Sequence, residues 1–248
     1  MSSSSPAVAA ERSPAGPPDT TNAMAGGDGP VAAVDAAITR LDGWLETMRG
    51  EGGYAGPIAH WWESCWLYTG PMIDWRYEGI IAGYLELFRK SGDERWLARA
   101  QRAGDDIVAA QTADGHFGNS SFQHGPQPGG TPHEAAVDVA LLELAQALRE
   151  GSRPSWERYA ACAERNVEQY LLAQLWAGDG FADQPWHLVR VPNKNATAIE
   201  ALLLAEAVTG RPVMDYVRPA AEVILRHQVT APGPRQGATV HAGTGEHA

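Results

Sequence analysis

Two pairs of acids carry the first chemical signal. Asp74/Glu78 and Glu134/Asp138 are each four residues apart, a spacing that puts both members of a pair on one face of a helix. Two carboxylates facing a common pocket suit hydrolysis of a glycosidic bond, one giving a proton to the leaving oxygen and the other activating water. If the pairs sit on neighbouring helices, whose axes lie ~8–10 Å apart, the gap matches inverting chemistry better than the ~5.5 Å of retaining enzymes. Each acid also has a structural reading. Carboxylates in a first helical turn are stabilised by the helix dipole, and Glu134, three residues after Thr131, is placed to close a capping box.

Aromatic residues carry the second signal. Six of the nine tryptophans fall between positions 44 and 96. The stretch Tyr54–Tyr68 reads YAGPIAHWWESCWLY. Its Tyr54, His60, Trp61, Trp62 and Trp66, with Trp75 just beyond, could stack on sugar rings or steer a carbocation through the ring quadrupole. The same rings could equally pack as a satellite core. His133, Trp186, His187 and Asn195 complete the candidate binding set, at the start of later helices or in the loops before them. Arg76, Arg190 and Lys194 could hold a substrate carboxylate.

Several function classes are excluded. The formal net charge is -11, from 19 Lys+Arg against 30 Asp+Glu, so nucleic acid is not expected as a partner. No apolar run approaches the ~20 residues of a membrane span. His133-Glu134 opens like a zinc motif, but Val137 stands where its second histidine belongs. Cys65 and Cys162 have no nearby His or Cys to share a metal. No phosphate-binding glycine loop occurs. Neither a metal nor a cofactor is expected, and the partner is a small molecule.

These residues need elements to hold them, and the pattern is helical. Val31, Val34, Ile38, Leu41, Leu45 and Met48 keep a 3–4 spacing, with Gly50 expected as a C-terminal cap. Further helices are expected over about 71–90, after Asp93, from Thr131 onward with Thr131 as N-cap, and over about 154–176, 195–208 and 212–228. Gly79 and Gly83 would let a neighbour approach closely. No stretch alternates with period two, so no substantial sheet is expected.

The helices repeat. Gln111–Phe117 (QTADGHF) and Gln174–Phe181 (QLWAGDGF) end two helices 63 positions apart, and Gly52-Gly53-Tyr54 precedes Phe117 by the same distance. Each copy leads through a long loop into an apolar helix rich in small residues. A period of ~60 residues made of outer helix, turn, loop and inner helix means stacked α-hairpins.

On the Gln…Asp-Gly-x-aromatic turn and the hairpin period, residues 31–228 resemble the α/α-toroid architecture. Two groups share it: six-hairpin glycosidases with related carbohydrate enzymes, and terpenoid cyclases with prenyltransferases. The resemblance implies an all-α, α/α-toroid-like stack of helical hairpins, here incomplete, with about seven helices. It also implies that inner-helix first turns converge on one mouth, with Asp74, Glu78, His133, Glu134, Asp138, Lys194, Asn195 and Glu200 among them. Asp105-Asp106 lacks the further acids of the polyprene-protonating motif, and the cysteines do not suit the zinc-dependent lanthionine cyclases.

Residues 1–30 are rich in Ser, Pro, Ala and Gly and are expected to be a disordered tail; they make a poor signal peptide, so the expected location is cytoplasmic. The domain is expected over 31–229 and a loose segment over 230–248. Gly243–Ala248 echoes Gly130–Ala135, whereas a closed toroid would need roughly 360 residues at this period. Helix seven carries Val213, Val217, Ala220, Val223 and Ile224 at helical spacing, a stripe expected to need a cover from a homodimer partner or a missing C-terminal half. The leading expectation is a carbohydrate-active, glycoside-hydrolase-like enzyme using Asp74 with Glu134 or Glu78. The alternatives are a terpenoid-cyclase-like enzyme acting on an isoprenoid, and a non-catalytic incomplete toroid serving as a subunit or binding module.

Overall fold

A computed structural model describes residues 30–54, 56–59, 66–69, 71–118 and 129–241, with the backbone alone at 30, 56–59 and 66–69. The tail 1–29, His60, Trp61, Trp62 and the Gly243–Ala248 echo lie outside the described residues. Two compact units divide the chain, one ending at Trp44 and one beginning at Leu45.

The fold is all-α, with seven helices among the described residues: α1 (Pro30–Thr47), α2 (Trp75–Ser91), α3 (Glu94–Ala110), α4 (Thr131–Glu150), α5 (Trp156–Asn166), α6 (Pro192–Thr209) and α7 (Met214–Arg226). A π-helical segment, Val167–Leu175, prolongs α5. The local starts follow from short polar side chains that accept orphan amides. Asp74 Oδ1 accepts from Arg76 N at 3.0 Å, so α2 begins at Trp75 rather than at Pro71. Asp93 Oδ1 does the same for Arg95 N at 3.0 Å.

From Leu45 on, the helices form stacked hairpins. The inner helices α2, α4 and α6 lie side by side with α4 in the middle, and α3, α5 and α7 pack behind them in turn. The central position of α4 explains its burial, which extends from Thr131 to Leu148 with few breaks. Gly104 lets α3 come close: a Cβ there would sit 2.5 Å from Leu144 Cδ2 and 2.8 Å from Tyr159 Cε1. Gly79 and Gly83 do not have this role, since nothing lies within 4 Å of a Cβ built at either.

The hairpins share a tight turn. Strand β1 (Arg49–Gly50) pairs antiparallel with β2 (Gly53–Tyr54), so Gly50 belongs to a turn and not to a helix cap. The same pairing recurs as Gln111 with Phe117, Trp176 with Phe181, and Gln228 with Thr239. The last of these gives the expected loose segment after residue 230 a defined path, closed by Val229 N donating to Ala238 O and Val240 N to His227 O. A second short hairpin pairs β3 (Gly56–Ala59) with β4 (Trp66–Thr69) inside the Trp-rich stretch.

Helix α7 corrects one expectation. Val213, Val217 and Ala220 are buried in the core that Leu171, Leu175, Phe181, Ala198 and Leu202 also form, and Val223 is buried too. Most of the stripe is already covered by this chain's own α6 and π segment, while Ile224 is only partly buried.

Candidate functional site

One polar cluster gathers where the inner helices begin. Asp74, Trp75 and Arg76 open α2. Gly130, Thr131 and His133 open α4. Lys194 lies in the first turn of α6, and Asp183 and Gln184 lie in the loop before it. Backbone and side-chain bonds sew that loop onto α4. Thr131 N donates to Asp183 O at 3.2 Å, Thr131 Oγ1 donates to Ala182 O, and Gln184 Nε2 donates to Gly129 O at 3.3 Å. Gly130 is required there: its φ is 72°, and a Cβ would fall 2.2 Å from Asp183 O.

His133 is the centre of the cluster. It is 9% exposed. Burial pushes its imidazole down to about 4, with Lys194 and Arg76 acting in the same direction against the opposing pull of Asp74 and Asp183. The ring is therefore neutral at neutral pH and can act as a hydrogen-bond acceptor or proton acceptor. The four surrounding charges are paired. Arg76 grips Asp74 through Nε at 2.9 Å and Nη2 at 2.8 Å, while Lys194 Nζ bonds Asp183. His187 Nδ1 lies 3.2 Å from the other Asp183 oxygen. On the segments that carry this cluster, Trp75 and Trp186 expose about half or more of their surface.

The acids of α4 go elsewhere. Glu134 is fully buried, and its Oε2 accepts from Phe117 N at 3.1 Å and from Asn166 Nδ2 at 2.7 Å. The capping box is not formed; Gly130 is the N-cap and makes no side-chain cap bond. Asp138, one turn on, is also fully buried, and burial followed by the nearby Glu134 charge raises its carboxyl well above the usual range. Glu78 takes a third direction. Half-buried on α2, its carboxyl is raised first by burial and then by the charges of Glu200 and Glu143.

Two other candidates hold the turns. Tyr54 is buried with its ring 5.8 Å from that of Tyr77, and its N donates to Tyr77 Oη at 2.9 Å. Asn195 Oδ1 accepts from Phe181 N at 2.7 Å, and its Nδ2 donates to Phe181 O and Val191 O. Tyr77, Glu134 and Asn195 thus play one part: a polar side chain in the first turn of each inner helix accepts from the aromatic residue of the preceding turn. The backbone of Trp66 pairs with Ala59.

Asp183 and Asn166 are the residues that the sequence reading passed over. Asp183 follows the turn aromatic Phe181 by two positions, and that spacing is its one signal. Asn166 is legible as a polar residue at a core position of an otherwise apolar helical face. Among the described residues, no group of three or more His, Cys, Asp or Glu could hold a metal ion, and no helix is long and apolar enough to cross a membrane. Compared with known proteins, the chain matches no family model and no curated protein.

Proposed function

We propose that the chain is a carbohydrate-binding, carbohydrate-active protein of the α/α-toroid kind, working at the N-terminal ends of α2, α4 and α6 on sugars that carry a carboxylate. The observation that carries this reading is the convergence of Asp74, Arg76, Asp183 and Lys194 on the buried neutral His133. Three helix N-termini add partial positive charge at the same end. Arg76 and Lys194 would recognise the sugar carboxylate, exchanging part of their bonds to Asp74 and Asp183 for it. Exposed Trp75 and Trp186 offer ring faces to the sugar. If the protein hydrolyses its ligand, Asp74 and Asp183 are the two carboxylates facing His133, in place of Asp74 with Glu134.

A second reading, a binding module without catalysis, draws on the bonding of the acids. Glu134 and Asp138 have no exposure, and Asp74 is held by both its helix cap and Arg76. Calorimetry with uronic-acid oligosaccharides and with neutral oligosaccharides of the same length tests the proposal. Binding of the acidic series alone, weakened at least tenfold by Arg76→Ala or Lys194→Ala, is expected. Equal affinity for both series, or none for either, refutes it. Product formation over hours then separates enzyme from binding module.

A further inference from the structure

The polar residues buried between α4 and α5 form a second cluster, apart from the mouth. Glu134 and Asp138 lie one turn apart on α4. Facing them across the layer are Cys162 and Asn166 of α5 and Tyr170 of the π segment, each again four residues on. The match is antiparallel: Glu134 bonds Asn166 and its charge is felt by Tyr170, while the charge of Asp138 is felt by Cys162, one turn back. Asp138 and Asn166 are 0% exposed. Among the described residues, both oxygens of Asp138, Asn166 Oδ1 and the Tyr170 hydroxyl have no hydrogen-bond partner.

An ionised Asp138 is not held in such a place, because it is fully buried, neither of its oxygens has a hydrogen-bond partner among the described residues, and the Glu134 carboxylate lies one turn away. Of the elements around Asp138, α4 contributes Glu134 and α5 contributes Cys162, with Arg165 further along its helix. Beside Glu134 stands Tyr170 of the π segment, and next to Tyr170 the 111–118 turn brings Asp114 and His116, whose ring lies 5.7 Å from that of Tyr170. Among the described residues, no charge from α2 or α6 acts on Asp138.

We propose that Glu134 and Asp138 hold one proton between them in the folded protein, and that this proton makes the joint between α4, the Phe117 turn and the α5–π junction sensitive to rising pH. Glu134 is the residue that ties these three together, through Phe117 N and Asn166 Nδ2. An extra negative charge one turn away strains that tie. The sign follows from linkage. Asp138 is raised in the folded state, so its contribution is fully present below the unfolded carboxylate range and is lost as pH rises through the folded value.

The test counts protons. On refolding at pH 7 in weakly buffered solution, the wild-type chain should take up one proton more than Asp138→Asn, a variant that keeps shape and removes the acid. His133 contributes equally to both. Equal uptake overturns the proposal. If Asp138→Asn does not fold, carbon NMR of the wild-type chain labelled at aspartate carboxyls decides: one aspartate should still give a protonated-acid signal at pH 7. A spectrum with every aspartate ionised overturns the proposal.

Discussion

Replacing His133 by Gln should remove most of the protein's sensitivity to mild acid. An unfolded histidine titrates near 6.5, whereas the buried His133 titrates at about 4. The folded value is depressed, so its contribution is present above the unfolded value and is lost as pH falls through the folded one. The window therefore runs from about 6.5 down to about 4. With ~1.4 kcal/mol per pH unit, the loss is about 2 kcal/mol by pH 5 and about 3 kcal/mol by pH 4. Carboxylates join in below about pH 5, so the cleaner measurement lies above it. Urea midpoints at pH 7.5, 6.5, 5.5 and 5.0 for wild type and His133→Gln give the two slopes. The wild type should lose about 2 kcal/mol more than the variant across that range. Parallel curves would refute the claim that a buried neutral imidazole sits among these four charges.

Three further substitutions test the packing around the site. Asn195→Ala leaves Phe181 N–H and Phe181 O without the side chain that bonds them in a buried place, while Val191 O keeps its bond from the backbone N–H of position 195, and chemical denaturation should show a loss of roughly 2–3 kcal/mol. A cost below ~0.5 kcal/mol would mean that water replaces the side chain. Gly130→Ala meets Asp183 O at 2.2 Å with φ at 72°; a loss of at least ~2 kcal/mol is expected from sterics and backbone together. An unchanged melting curve would show that the loop before α6 does not press on α4. Tyr77→Phe removes the acceptor for the buried Tyr54 N–H and the longer bond from the hydroxyl to Asp106 Oδ2 at 3.4 Å, so the drop should be ~1–2 kcal/mol, with the ring packing kept. A drop no larger than that of an exposed surface change would remove Tyr77 from the set of turn-holding residues.

The helices and their repeat were legible in the sequence because both rest on local rules: apolar spacing, Asp93 at a helix start, and the glycine–aromatic turn. Glu134 was not legible, because Thr-x-x-Glu reads the same whether the acid turns back on its own helix or reaches across to Phe117 and Asn166. The π character of Val167–Leu175 leaves no mark that an ordinary helix would not also leave. The short strands fall below the length at which alternation is detectable. For α7, the spacing marks an apolar stripe that needs a cover, but sequence cannot say which neighbour supplies it. At the mouth, Asp74, His133 and Lys194 were found from their place in first turns. Asp183 was not, since loop residues carry no periodicity.

The polar contact that each inner helix makes to the turn before it has a consequence for how the chain folds. Tyr77, Glu134 and Asn195 each satisfy a buried amide that belongs to the previous hairpin. A hairpin formed alone leaves that amide unsatisfied, and the next inner helix supplies the acceptor. Neighbouring units are thereby made to order together, as in a linear array whose stability lies in its nearest-neighbour interfaces. Damage at one of these contacts should then spread outward from its own interface, with hydrogen exchange quickening in the two flanking hairpins before the rest.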